Sequence, residues 1–310
     1  MNDIQFKDLT LEWLSIRKLY IKHSTYIKYE NIIEHHLFKY YHDYLAKDIN
    51  TQSLIHFFEN KKNEKISSSM LNTMKSILFS IIEYGSENYD LKPINFKLIK
   101  IPSTHINRKV LSVEDRNKVI IYAKKGVNPL SISLLLALYG GLRLEEICAL
   151  KWEHIDFDNE LVYIKGTATR LKCKEKNKHK TEVIIQSPKS QSSYREVPLP
   201  FFVLEYIKSY TINPVNEHYL LSNSDKIYEP RRLEKNFCKF CNEYNINSTF
   251  HNLRHSYATD CVRQNIEIKT LSEILGHSNV STTLNLYIHT SLEQKKKEIS
   301  KIKTPDKFVD

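Results

Sequence analysis

The sequence predicts a mainly α-helical protein with a small β-sheet, an α+β fold divided into two domains. Apolar residues recur at helical spacing through the first hundred residues, and helical patterns return after Pro200. Between these regions, three short stretches of alternating apolar and polar residues indicate strands. The length of 310 residues is typical of about two domains. We therefore expect an N-terminal helical bundle followed by a mixed domain.

The composition favours a globular protein that binds polyanions. Lys and Arg outnumber Asp and Glu by 46 to 36, a formal net charge of +10. A basic surface attracts nucleic acid because it releases counterions from the phosphates. No stretch of the sequence approaches the roughly 18 apolar residues of a membrane helix, and the N-terminus is too charged for a secretory signal. We therefore expect a cytoplasmic protein without membrane contact.

Four helices are predicted in the first domain, which we place at residues 1–92. The first helix spans residues 9–21, and the other three are expected to start at capping residues. These caps are Ser24 or Thr25, then Thr51, then Ser67 or Ser68. Lys and Tyr interleave along the first two helices, a pattern that fits a solvated face as well as a DNA-contacting face.

A basic segment without periodicity, residues 93–110, is predicted to link this bundle to a second domain at residues 111–310. The second domain opens with a helix that Ser112 can cap. Pro129 suits the first turn of the next helix, which is almost wholly apolar up to Tyr139 and so belongs to the core. Gly140-Gly141 ends it, and another helix follows.

Three strands are predicted next, at residues 161–164, 183–185 and 195–199. The connection between the first two is long, polar and rich in cations. Because such a segment suits a phosphate backbone, we expect it to contact DNA. The expected contacts are Lys165, Arg170, Lys172 and Lys174.

Residues suited to phosphoryl transfer lie in the last third of the chain. His251 and Arg254 are three apart, so they share one side of a helix. An arginine fork binds two phosphate oxygens and keeps its charge, and a histidine can move a proton. Gly276 predicts a helix end in the left-handed conformation, which places His277 at a turn. Tyr287 follows, and can attack phosphorus.

A short helix is predicted around Tyr287, with Ser281 or Thr282 as its cap. Taken alone, this tyrosine carries little information, since the chain has 19. Its significance comes from the arginine and the histidines that precede it.

Two other patterns have the spacing of metal ligands. His251 and His255 could form a zinc pair at i and i+4, but Asn252 stands where such a motif carries Glu. Cys238 and Cys241 have no second cysteine pair, and they fit better on a partly buried helix face. An odd count of five cysteines favours reduced thiols. We expect neither a metal nor a cofactor.

Several segments, in this order, resemble the tyrosine recombinases, also called phage integrases. The segments are GLRLEEICAL at residues 141–150, PKS at 188–190 with REVPL at 195–199, HNLRHSYAT at 251–259, LGHS at 275–278 and STTLNLY at 281–287. The resemblance implies a helical core-binding domain that closes on DNA as a clamp, and a catalytic tyrosine-recombinase domain. It also implies double-stranded DNA with specific recombination sites as the partner, and a homotetramer on paired sites.

The resemblance further implies a role for each matching residue. Arg143 and Arg254 would bind the non-bridging oxygens of the scissile phosphate. Tyr287 would attack that phosphate to form a 3′-phosphotyrosyl bond, and Lys189 would protonate the leaving 5′ oxygen. Their supporting residues would be His251 in acid–base transfer, His277 as a phosphate ligand and Glu146 as the acidic residue behind the site.

A site-specific DNA recombinase that integrates or excises a mobile element is the function this resemblance implies, without metal or ATP. Two alternatives are a catalytically silent DNA-binding relative and a type IB topoisomerase. A silent relative would have lost one of the residues that act on the phosphate, and this chain keeps Arg143, Lys189, Arg254 and Tyr287. The helical domain and the linker favour a recombinase over a topoisomerase.

Overall fold

The computed structural model describes residues 3–102, 110–172, 181–186, 194–284 and 299–300, except for the side chains of Leu171 and Lys172. The chain packs as two units, Met1–Asn107 and Arg108–Asp310, each with an apolar core. Within the described ranges, no helix combines the length and apolar character needed to span a membrane.

The first unit is a helical bundle. Its α-helices are α1 (Phe6–Tyr20), α2 (His23–Ile32), α3 (Phe38–Tyr41), α4 (Thr51–Asn63) and α5 (Ser68–Asn88), with a π-helical turn at Ile33–Leu37. Aromatic rings fill the centre: Tyr41 lies 5.3 Å from Phe6 and 5.3 Å from Phe57, measured between ring centroids. All three side chains are fully buried.

The helix caps follow the sequence prediction only in part. Ser67 caps α5 as predicted, with its hydroxyl accepting from Met70 N. Helix α4 is capped by Asn50 instead of Thr51, because Asn50 Oδ1 accepts from Ser53 N at 3.0 Å and the Ser53 hydroxyl accepts in return. Helix α2 begins before Ser24 and Thr25, with no side-chain cap.

Part of the segment predicted as a linker packs into the first unit. Phe96 and Ile99 are buried in its core. The Lys75 ammonium donates to the Ile99 carbonyl at 2.6 Å, which ties this segment to α5. Apolar side chains at these positions explain the attachment, since leaving them in water would cost free energy.

The second unit combines helices with two small antiparallel sheets. Its helices are α6 (Val113–Lys124), α7 (Pro129–Tyr139), α8 (Leu144–Ala149), α9 (Phe201–Lys208), α10 (Pro230–Glu243), α11 (Phe250–Arg263), α12 (Ile268–Leu275) and α13 (Ser281–Leu284). As predicted, α7 is the core helix, with every residue from 130 to 138 buried. Its start is fixed by Asn128, which accepts from Leu130 N and Ser131 N.

The strands are β1 (Ile155–Asp156), β2 (Leu161–Ile164), β3 (Thr167–Lys172), β4 (Thr181–Gln186) and β5 (Arg195–Pro198). One sheet has the order β1-β2-β5, with Val162 opposite Val197, and β3 pairs with β4 in the other. The start of the connection after Ile164 was wrongly predicted to be without strand structure. Ala168 is buried there and pairs with Ile185. The predicted fold class, mainly helical with a small β-sheet, is confirmed, and the strands form two small sheets where one was predicted.

Candidate active site

The turn between α7 and α8 fixes the backbone and the side chain of Arg143 together. Arg143 is the N-cap residue of α8. Glu146, three residues on, accepts from Arg143 N at 2.8 Å through Oε2 and from Arg143 Nη1 at 2.6 Å through Oε1. The first of these bonds is the acidic half of a capping box. One buried carboxylate thus sets where α8 begins and where the guanidinium lies.

Arg195, at the start of β5, binds the same carboxylate from another element. Its Nη1 and Nη2 donate to Glu146 Oε1 and Oε2 at 3.0 and 2.9 Å, and its Nε donates to the Ile274 carbonyl at 2.6 Å. No role for this arginine was predicted from the sequence. The alternation of side chains along the strand could have indicated this role. Arg195 lies on the same side of the strand as buried Val197 and Leu199, and a buried charge needs a partner of opposite charge.

Arg254 reaches the site from α11 and is only 3% exposed. Its Nη1 donates to the Gly141 carbonyl at 2.6 Å, and its Nη2 donates to the Leu275 carbonyl. Arg143 Nη2 makes a longer contact of 3.4 Å with the next carbonyl, that of Gly276. The structure therefore brings both predicted arginines to the end of α12.

Three guanidinium groups surround a single carboxylate, an excess of positive charge. Burial by itself would raise the pKa of Glu146, but the hydrogen bonds and charge of Arg195 and the charges of Arg143 and Arg254 lower it to about 2. Burial, together with the charge of Arg143, lowers the pKa of Arg254 to about 9. The carboxylate of Glu146 and the guanidinium of Arg254 therefore both remain charged at neutral pH. Three guanidinium groups beside one carboxylate leave a net positive charge, so an anion at this site would be stabilised.

His277 follows the left-handed turn that the sequence predicts. Gly276 has φ 61° and ends α12. The half-buried His277 ring contacts Thr283 Oγ1 through Nδ1 at 2.8 Å. Helix α13 begins at Ser281, one of the two residues predicted to cap it, and Asn279 Oδ1 accepts from Ser281 N at 2.8 Å.

His251 lies one turn before Arg254 on α11, with an exposed side chain. Its ring is nearly perpendicular to that of His255, with centroids 4.5 Å apart. On α10, Cys238 is exposed and Cys241 is buried, as expected for a helix face. The described ranges contain no cluster of three side chains that could hold a metal ion.

Several predicted residues are not placed at this site. Lys189, Tyr287 and Lys174 lie outside the described residues, and Lys172 belongs to β3 without a described side chain. The roles of Lys189 and Tyr287 stay predictions from the resemblance, and the DNA contacts of Lys172 and Lys174 stay predictions from the charge of their segment.

The two remaining DNA-contact candidates differ in their surroundings. Lys165 is exposed, and its Nζ lies 5.8 Å from the centroid of the Tyr163 ring. Arg170 instead forms a two-pronged ion pair with Glu229 through Nε and Nη2. Because Glu229 compensates its charge, Arg170 is a weaker candidate for a phosphate contact than Lys165.

A cationic stripe on α10 was not predicted from the sequence. Arg231, Lys235 and Lys239 are exposed and spaced by four residues, so they lie along one side of the helix. The spacing of four residues is visible in the sequence and could have indicated the stripe. The exposed Arg232 lies beside the stripe. A row of cations of this kind suits a phosphate backbone.

Comparison with known proteins identifies the family to which the chain is similar. Residues 109–294 match the model of the phage integrase family. A tyrosine recombinase XerC-like protein of Caldanaerobacter subterraneus is 28% identical over 94% of this chain and 81% of its own length. The transposase of transposon Tn916 from Enterococcus faecalis is 27% identical over 68% of this chain and 55% of its own length.

A solved structure shares the fold. The integrase of transposon Tn1549, in complex with transposon right end DNA, superposes with a TM-score of 0.80 at 19% identity, covering 96% of this chain and 99% of that chain. The family match spans more than half of the sequence and includes the arginines, Glu146 and His277. The chain therefore belongs to the phage integrase family and is a tyrosine recombinase, an enzyme that cleaves and rejoins DNA.

Proposed function

We propose that this recombinase cuts a DNA strand at a phosphate held between Arg143 and Arg254, with Tyr287 as the nucleophile. The observation that carries the proposal is the pair of guanidinium groups at the end of α12, bonded to the neighbouring carbonyls of Gly276 and Leu275. Together with Arg195 they exceed the charge of Glu146. A phosphate would supply the missing negative charge.

The proposed chemistry needs only side chains of this chain. The Tyr287 oxygen forms a bond to phosphorus, and the bond from phosphorus to the 5′ oxygen breaks. His251 takes the phenol proton, and Lys189 gives a proton to the leaving oxygen. Arg143 and Arg254 stabilise the charge on the pentavalent phosphorus.

The products are a 3′-phosphotyrosyl bond and a free 5′-hydroxyl. His277 completes the phosphate contacts, as the family resemblance implies, from the turn that follows α12. Attack by a 5′-hydroxyl from a second strand reverses the step. Because the bond energy is kept in the covalent intermediate, the exchange requires no external energy source.

Double-stranded DNA that carries specific recombination sites is the proposed substrate. In this proposal residues 1–92 are the core-binding domain, 93–110 the linker, whose first part packs against that domain, and 111–310 the catalytic domain. The α10 stripe would add phosphate contacts to that of Lys165. Exchange between two duplexes breaks four strands, and each break consumes one Tyr287, so we propose a homotetramer on paired sites.

Integration or excision of a mobile element is the proposed role in the cell. The similarity to the transposase of transposon Tn916 supports it. A second role is the resolution of DNA dimers; the tyrosine recombinase XerC-like relative, whose name refers to no mobile element, matches more of the chain. Sequencing the DNA covalently trapped on the protein in cells separates the two, since element ends support the first role and a chromosomal site supports the second.

Covalent trapping on a nicked suicide substrate tests the proposed nucleophile. Tyr287→Phe should form no covalent complex while binding the DNA as wild type does. Tyr244→Phe is the matched control, because Tyr244 hydrogen-bonds Lys125 on the side of the catalytic unit formed by α6 and α10, and it should cleave normally. Trapping by Tyr287→Phe would refute the nucleophile. Cleavage that requires Mg²⁺ and stops in EDTA would refute the mechanism.

A further inference from the structure

We infer that Arg195 is a positioning residue for strand cleavage, which holds Glu146 so that Arg143 keeps donors for the scissile phosphate. The inference rests on the proposed function, since it assigns Arg195 to the same site. Arg195 acts through another residue: its side chain is 5% exposed, whereas that of Arg143 is 30% exposed. The more exposed arginine is the one that can meet DNA.

The hydrogen bonds of Glu146 are divided between two arginines. Oε1 accepts from Nη1 of both Arg143 and Arg195, and Oε2 accepts from Arg143 N and Arg195 Nη2. Arg195 therefore presents a planar fork to the carboxylate, the geometry that holds a carboxylate most rigidly. Arg143 uses only one guanidinium nitrogen on it.

This division decides how much of Arg143 is available. A buried carboxylate deprived of one charged partner binds the remaining partner more strongly, because an uncompensated buried charge is costly. Without Arg195, Glu146 would draw the Arg143 guanidinium into a full ion pair, and the phosphate would compete with that carboxylate. With Arg195 present, the contact that Arg143 Nη2 makes among the described residues is a long one, 3.4 Å to the Gly276 carbonyl.

Arg195 also connects β5 to the turn that carries His277. Its Nε donates to the Ile274 carbonyl at 2.6 Å, in the last turn of α12. Gly276 and His277 follow immediately. One side chain thus fixes the spacing between the start of α8 and the end of α12, the two places that present Arg143 and His277.

Four variants, measured by single-turnover trapping on a suicide substrate and separately by DNA affinity, test this role. Arg195→Met should slow formation of the covalent complex about 100-fold, the order of loss seen when a preorganised donor is disturbed, with little change in DNA affinity. The double variant Arg195→Met/Glu146→Gln also lacks the carboxylate that has lost its partner. Its rate of covalent complex formation should be at least about tenfold higher than that of Arg195→Met, since the effects of contacting residues are strongly coupled. Arg195→Lys keeps the charge without the fork and should also be slow.

Arg116→Met is the matched control. It breaks another ion pair of the catalytic unit, that of Arg116 with Asp260, which joins α6 to α11. It should cleave at the wild-type rate. Slow cleavage by this variant would mean that loss of any ion pair in this unit slows the reaction through general destabilisation, and it would overturn the inference.

The outcomes separate the inference from the proposed function. If the wild-type protein cleaves and Arg195→Met cleaves equally fast, the inference is overturned and the proposed function stands. The same holds if Arg195→Met/Glu146→Gln is as slow as Arg195→Met. If Arg195→Met fails to fold, Arg195→Lys decides: wild-type cleavage by it refutes a role for the fork. A wild-type protein that forms no covalent complex overturns the proposed function and the inference with it.

Discussion

Arg143 and Arg254 donate hydrogen bonds to consecutive carbonyl groups, those of Gly276 and Leu275. The two arginines are 111 positions apart in the sequence (254 − 143) and come from different helices, yet both are aligned on the end of α12. That alignment fixes the spacing between two charges without any contact between them. A tetrahedral phosphate with two unbridged oxygens matches two such donors.

Arg143→Ala should lower the rate of covalent complex formation by about 100- to 1000-fold, because the variant lacks a preorganised donor to the transition state. DNA affinity should change much less, since the duplex is held at many other phosphates. Single-turnover trapping and a binding isotherm measure the two effects separately. Arg263→Ala, at an arginine 63% exposed near the end of α11, should leave both unchanged, and an equal loss in this control would argue against a specific role for Arg143.

Glu146 should make the stability of the protein depend on acid. Its pKa is lowered from 4.5 to about 2 in the folded state, so its contribution is present above pH 4.5 and is lost as the pH falls toward 2. Linkage gives a loss of about 2 kcal/mol between pH 5 and pH 3. Urea unfolding should find this loss in wild type and in Glu145→Gln, but not in Glu146→Gln. The same pH dependence in all three proteins would contradict the assignment.

Lys235→Glu should weaken DNA binding and reduce its dependence on salt. If the α10 stripe lies on the backbone, the slope of log K against log salt should fall by about 0.9 for each phosphate that the variant no longer neutralises. Lys208→Glu, on α9 and 66% exposed, changes the net charge equally and is the control. Identical slopes in the two variants would assign the effect to overall charge, and the stripe would have no special role.

Gly141→Ala should destabilise the protein and slow cleavage. Gly141 has φ 64°, and a Cβ there would lie 2.5 Å from Tyr257 Cδ1. Backbone strain of this kind costs about 1–3 kcal/mol, and the Gly141 carbonyl that accepts from Arg254 would move. Gly126→Ala shares the positive φ but has open space around the new methyl group. Thermal unfolding should therefore show a smaller loss for Gly126→Ala, and equal losses would remove the steric argument.

Local features of the site were predictable from the sequence, and its long-range contacts were not. The apolar run after Pro129 predicted the core helix α7, and Gly276 predicted the left-handed turn, because each depends on neighbouring residues alone. The ion pair between Arg195 and Glu146 joins residues 49 positions apart, and periodicity carries no information about such a pair. Strand β3 was hidden because cationic side chains obscure its alternation.

The shared carboxylate has a consequence for judging activity from sequence. Because Glu146 joins the start of α8 to β5, and Arg195 joins β5 to α12, these residues support the fold as well as the site. A descendant without catalysis would still be selected to keep them in order to fold. Their presence in a related chain is therefore poor evidence that it cuts DNA. In the proposed mechanism Lys189 and Tyr287 act on the phosphate directly, so we expect the loss of either to mark an inactive descendant.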